Sequence, residues 1–414
     1  MSLKTKYKLE FNFIIYLIGK VISAGVMIAS IPLFIRYFGV KEYGDFILFY
    51  TTFLMLYAGS TGWVVQGILR FYTLESNKEK IRNEINQMIL NSFVFSVIIL
   101  LAVFTYYDAD ITLLIIAVCS LFFSLFYTSK ITIEQALLKS KNYIIADIIR
   151  VLIFLTIPLS IKFILPSVSA INALFLGVLF SYLLSVLWLS KFKITFPSIR
   201  FRGKTRWRKI FLKYGLPLSL WMMFSPTTNG VDRYIIEYSL GTIMLAKYTA
   251  VFDIVFKVFS SIAIPFNNIV QPMLIQNYNE KNYTEYKKTV NKALVYLTLI
   301  FLLFISGVIL LQDFIICRYL GFCEQSLLLS KLIIPLAFSS YIWQIAILLQ
   351  KNMEVSNKTF EITIYMLIVV VIIVLLGIIF VPSYGLLASA YISLFTASVY
   401  LLLVIYGTKK HFKL

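Results

Sequence analysis

The sequence predicts an all-α integral membrane protein of about twelve transmembrane helices, arranged as two six-helix bundles. Three observations predict it. Of 414 residues, 60% are hydrophobic and only 14% charged, with a mean hydropathy of +0.87, whereas soluble chains average about 25% charged. Twelve apolar runs follow one another, each close to the roughly 20 residues that a helix needs to cross a bilayer core of about 30 Å. A strongly basic stretch at 191–213 divides the runs six and six.

The predicted spans are 11–35, 44–69, 85–106, 111–129, 143–165, 168–190, 215–238, 241–272, 290–312, 327–349, 360–381 and 385–407. The first is longer than the apolar core of a signal peptide and no small-residue cleavage site ends it, so it reads as a retained helix. Connections are short throughout. Three parts follow: an N-terminal bundle over 1–190, a linker over 191–213 and a C-terminal bundle over 214–414. In the linker, Trp207, Ile210, Phe211 and Tyr214 recur at helical spacing among Arg206, Arg208, Lys209 and Lys213. That pattern predicts a short helix in the cytoplasmic interface, drawn to anionic lipid.

Basic residues orient the chain. Of 38 lysines and arginines, 28 fall on the termini and the even connections and five on the odd ones. Positive charge marks the cytoplasmic side, so both termini are expected there. Cys317 and Cys323 then share an external connection, where two free thiols are the favoured reading over a disulfide.

Five cations lie inside predicted helices, namely Lys20, Arg150, Arg233, Lys247 and Lys257, together with three acids, Asp147, Asp232 and Asp253. An unpaired charge at the membrane centre costs about 2.5–3.5 kcal/mol or more, which makes each a functional candidate. The cations stand at graded depths, and a ladder of them suits passage of a phosphate or diphosphate. The competing reading is static pairing: Asp253 with Lys257 and Asp147 with Arg150 have i, i+4 and i, i+3 spacing. Lys20 and Lys247 have no local acid, which favours them as substrate contacts. Adjacent Asp232 and Arg233 need partners elsewhere. Any of the three acids could load a proton or a sodium ion as the coupling ion.

Prolines 32, 226, 265 and 335 fall inside predicted helices and favour kinks. One histidine, His411, and three cysteines give no metal site, and no P-loop occurs, so neither metal nor nucleotide chemistry is expected. Glu42 and Asp45 could pass for an external catalytic pair, but their place at the start of a helix is explained by capping and interface solvation. The two halves echo each other faintly: IRYFGVKEYGDFIL opens the second predicted helix as EYSLGTIMLAKYTAVFD opens the eighth, each with a glycine in the outer turn, which suggests a two-fold repeat.

The stretches IPLFIRYFGVKEYGDF, GWVVQGILRF, YGLPLSL, NGVDRYIIEYSLG, AKYTAVFDIV and YGLLASAYIS resemble those of the MOP flippase superfamily, and within it the Wzx-type polysaccharide translocases. The resemblance covers essentially the whole chain through degenerate motifs. It implies two six-helix bundles around a central cavity, MATE-like in fold, which open to each side in turn. By position, Asp232 and Arg233 match the family's DR pair, Arg36 with Gly39, Tyr43 and Gly44 match the turn between helices 1 and 2, and Arg70 matches the basic residue closing helix 2.

The expected function is a bacterial inner-membrane flippase for polyprenyl-diphosphate-linked oligosaccharide repeat units. The expected substrate-binding cations are Lys20, Arg36, Arg70, Arg150, Arg233, Lys247 and Lys257. No cofactor is expected beyond a coupling proton or sodium ion. Expected partners are the lipid-linked glycan, membrane lipid, a polysaccharide polymerase and assembly proteins, with no nucleic acid. Alternatives are a MATE-like cation-coupled antiporter, whose cavity should be net acidic, a lipid II-type flippase, set second because twelve helices rather than fourteen are predicted, and a polytopic glycosyltransferase or polymerase, which the short external connections disfavour.

Overall fold

Apolar runs become helices because a backbone in lipid must satisfy its own hydrogen bonds. The computed structural model describes residues 3–73, 78–137, 139–191, 207–213, 215, 219, 230–356 and 358–411; side chains are described from Gly19 onward, save 265, 268, 269, 271, 272, 275 and 279. The helices are α1 (Leu3–Phe38), α2 (Val40–Phe71), α3 (Lys78–Tyr106), α4 (Ile111–Ala136), α5 (Ser140–Ile164), α6 (Ala170–Leu189), α7 (Val231–Leu240), α8 (Thr242–Asn279), α9 (Tyr283–Leu310), α10 (Ser326–Val355), α11 (Thr359–Tyr384) and α12 (Leu386–His411). Among the described residues there is no strand. The protein is an all-α, multi-pass membrane protein.

Ten of these helices are long and apolar enough to cross a membrane. Of the other two, α7 is the end of the predicted seventh span, most of which, with Pro226, lies outside the described residues. The second, α8, is long enough but carries Lys247, Asp253 and Lys257. Several helices outrun their apolar cores: α3 starts at Lys78 and α9 at Tyr283, and α8 ends at Asn279. Bilayer thickness sets the length of the apolar run, whereas the helix continues into water as long as its i→i−4 bonds are satisfied. Starts are fixed by side chains. Asp110 accepts from Leu113 N–H at 2.6 Å ahead of α4, and Asn282 accepts from Glu285 N–H at 3.1 Å ahead of α9.

The chain divides into two compact units, Met1–Ser30 with Tyr37–Pro226, and Ile31–Arg36 with Thr227–Leu414. In the first, α2 packs on α3 and α4, α3 on α4, α4 on α5 and α6, and α5 on α6; in the second the same neighbours recur six helices on, α8 with α9 and α10, α9 with α10, α10 with α11 and α12, and α11 with α12. The glycine echo has a structural counterpart. Gly39 joins α1 to α2 at φ 104° and Gly241 joins α7 to α8 at φ 83°, a region closed to most side chains. In each case a single residue in this conformation separates two helices.

Residues 207–213 are helical, and Phe211 is fully buried on α2. A side chain at Gly67 would collide with the Phe211 ring and one at Gly215 with the Trp63 backbone, and one at Gly62 would press on Ser219 at 3.0 Å. Ser219 Oγ donates to the Gly59 carbonyl at 2.9 Å, so small residues let two backbones approach closely. The interfacial helix expected here therefore seats its Phe211 edge on protein rather than lipid. The rest of that stretch, with Tyr214, lies outside the described residues.

Candidate functional site

In the first unit, Asp147 of α5 is 5% exposed and holds two cations. Lys20 of α1 donates to Oδ2 at 3.1 Å, while Arg150, one turn along α5, donates through Nε and Nη2 to Oδ1 at 3.2 and 2.9 Å. Tyr127 donates to the same Oδ1 at 3.4 Å. Aromatic faces close the cluster, with Lys20 Nζ 5.0 Å from the Tyr143 centroid and the Arg150 guanidinium 5.9 Å from that of Tyr182.

The second unit repeats the arrangement with different helices. Asp253 of α8, 2% exposed, accepts from Arg233 Nη2 of α7 at 3.0 Å on Oδ1 and from Lys257 Nζ at 2.6 Å on Oδ2. The Lys257 side chain is 46% exposed and that of Arg233 only 9%. Each cluster is one carboxylate shared by two cations, which leaves one positive charge over among the paired groups; in the second unit buried Asp232, adjacent to Arg233, offsets it. At an effective dielectric of about 20, charges about 4 Å apart attract by ~4 kcal/mol, comparable with the insertion cost of each cation. One acid can thus hold two cations in the helices without cancelling them.

Asp232 stands apart. Tyr248 donates to its Oδ2 at 3.0 Å, but the buried Oδ1 has no hydrogen-bond partner among the described residues. Lys247, in the first turns of α8, donates to Gln325 Oε1 at 2.9 Å and lies 5.8 Å from the Phe322 centroid. Arg36 donates through Nη2 to the carbonyls of Arg318 and Tyr319. Arg70 lies exposed at the far end of α2, beside the Phe71 ring at 5.6 Å. Among the described residues no group of His, Cys, Asp or Glu is gathered to hold a metal.

Three expectations change. Lys20 has an acid after all, on α5, which no within-helix spacing could reveal. Four of the five embedded cations form two clusters instead of separate graded steps, because long side chains from different depths converge on one carboxylate. Cys317 and Cys323 are joined as a disulfide, since the turn between a π-helical segment, Phe314–Tyr319, and a 3₁₀ segment, Cys323–Gln325, folds back on itself. Sequence reasoning also missed Tyr127, Tyr143, Tyr182 and Tyr248 around the clusters, because an excess of tyrosine reads equally well as an interfacial belt.

No family model matches the sequence, and no curated protein matches it. Solved structures do. The chain is similar to lipid II flippase MurJ in an inward closed conformation, with a TM-score of 0.70 and 17% identity over 99% of this chain and 88% of that one. It is similar to an inward-facing MATE family multidrug resistance transporter of the MOP superfamily, with a TM-score of 0.64 and 13% identity over 95% of each chain. It is also similar to a MOP superfamily transporter from Pyrococcus furiosus described as having a binding pocket of reverse polarity, with a TM-score of 0.64 and 13% identity over 97% and 94% of the two chains. The fold of this chain is therefore the one that MurJ and the MATE transporters share.

Proposed function

We propose that the chain is a flippase that moves polyprenyl-diphosphate-linked oligosaccharide repeat units from the cytoplasmic to the external leaflet of the bacterial inner membrane, for surface polysaccharide assembly. The observation that carries this reading is the pair of embedded clusters in which one acid is shared by two cations. A diphosphate entering the bilayer needs charge-assisted donors in place of water. Arg150 and Arg233 offer planar forks to phosphate oxygens and Lys20 and Lys257 point charges. The net positive balance is the wrong sign for an exporter of organic cations, and the Pyrococcus furiosus transporter, by its description, carries a pocket of reversed polarity on the same fold.

Asp232 is the proposed coupling carboxylate. Asp147 and Asp253 are each neutralised twice over, whereas Asp232 keeps one buried oxygen open to a proton or sodium ion. The chain acts without catalysis, both termini are cytoplasmic, and a polymerase receives its product. The likeness to MurJ favours a second reading, a lipid II-type precursor as cargo; the diphosphate is common to both and the glycan separates them.

The test is a deletion strain from which lipid-linked intermediates are extracted. A completed repeat unit should accumulate facing the cytoplasm while the matching surface glycan disappears, and Lys20→Gln with Lys257→Gln should fail to restore it at normal protein level. Accumulation of lipid II would move the second reading to first place. Unpolymerised units on the outer face would instead indicate an enzyme.

A further inference from the structure

The connection between α9 and α10 belongs to the second unit and does more than join helices. Its apolar residues Ile316, Leu320 and Phe322 are buried, which anchors it. Its backbone ends in carbonyls that the π-helical turn cannot satisfy. Arg36 fills that need, donating to Arg318 O at 2.5 Å and Tyr319 O at 3.3 Å. Two residues past the bridge, Gln325 accepts from Lys247, whose ammonium also faces the Phe322 ring. The residues that grip Arg36 lie inside the ring closed by Cys317 and Cys323, and Phe322 and Gln325 flank Cys323.

We propose that the Cys317–Cys323 ring is a redox-sensitive clamp that positions Arg36, at the end of α1, and Lys247, at the start of α8. The inference rests on the flippase reading only for the cargo these cations would meet; the clamp itself is geometric. Closed, the ring fixes the Arg318 and Tyr319 carbonyls and holds Phe322 and Gln325 in place. An external dithiol opens it by giving up two electrons and two protons: the sulfur–sulfur bond breaks, two thiols form and the reductant becomes a disulfide. The open loop retains its buried apolar anchors but no longer fixes the carbonyls, so both cations are released together. The clamp is a positioning device acting through Arg36 and Lys247.

The test uses the full chain in lipid nanodiscs. Amide hydrogen exchange is followed over 31–38 and 242–250, before and after a phosphine reductant, which takes up an oxygen from water as the two thiols form. Both segments should exchange faster after reduction, by about tenfold, while residues 85–100 of α3 stay unchanged and reoxidation restores the slow rates. Arg36→Gln should speed only 31–38 with the bridge intact. Free thiols at both positions in untreated protein, or unchanged exchange after reduction, would overturn the clamp. Because exchange needs no transport, a normal exchange response in a protein that moves no glycan would sink the flippase reading alone, and unchanged exchange with intact translocation would sink the clamp alone.

Discussion

Asp253 and Lys257 belong to one ion pair and should behave in opposite ways when altered. Asp253 is buried between two cations, so Asp253→Asn removes the carboxylate that both share, and breaking such a buried pair costs about 3–5 kcal/mol. A large fall in the detergent melting temperature is expected, or little protein at all. Lys257 is nearly half exposed, and its loss leaves Asp253 still paired with Arg233 at 3.0 Å. Lys257→Gln should melt close to the parent yet translocate poorly, and equal thermal losses in the two variants would contradict this assignment. Asp110 gives a pH signature. The Leu113 N–H holds its carboxyl below the ordinary carboxylate range. With the folded value below the unfolded one, its contribution is complete above the unfolded pKa of about 3.9 and disappears as pH falls through the folded value. Asp110→Ala should cost about 1 kcal/mol near neutrality, and the gap to the parent should close in acid; a gap constant down to the lowest pH would count against the cap. At this scale the sequence was half legible. Asp147 with Arg150 and Asp253 with Lys257 could be read from spacing, whereas Lys20 with Asp147 and Arg233 with Asp253 join residues on different helices, and only packing brings them together.

At the scale of elements, helices were legible because the bilayer turns apolar length into a signal, and their ends were not, because polar ends extend into water without changing hydropathy. The close approach of α2 to Phe211, Gly215 and Ser219 was also hidden, since a glycine in a membrane span has several uses. Gly215 tests it directly. Its missing side chain faces the Trp63 backbone, which cannot rotate away, so Gly215→Leu should cost at least the 1–3 kcal/mol typical of overpacking, read as a lower melting temperature. A variant as stable as the parent would mean that the close approach is dispensable. Gly67→Ala should be milder, because a phenylalanine ring yields more easily than a main chain.

Across the whole molecule, the division of basic residues predicts cytoplasmic termini and an external α9–α10 connection. A fluorescent protein fused after α12 should glow and alkaline phosphatase fused in the 313–326 connection should be active; the reverse pattern would invert the topology. The faint glycine echo proved to be the visible trace of a recurrence of helix neighbours, which one sequence cannot display because packing tolerates many apolar substitutions. Each unit also carries its own carboxylate between two cations. On the flippase reading proposed above, such an acid stands in for the cargo's phosphate, occupying the donors when no cargo is present. Loading then becomes an exchange of one anion for another, and departure lets the carboxylate swing back unaided. On that reading the acid re-occupies the donors by itself, leaving the proton or sodium ion proposed at Asp232 to drive the cycle, and the same built-in competitor limits how tightly any cargo can be held.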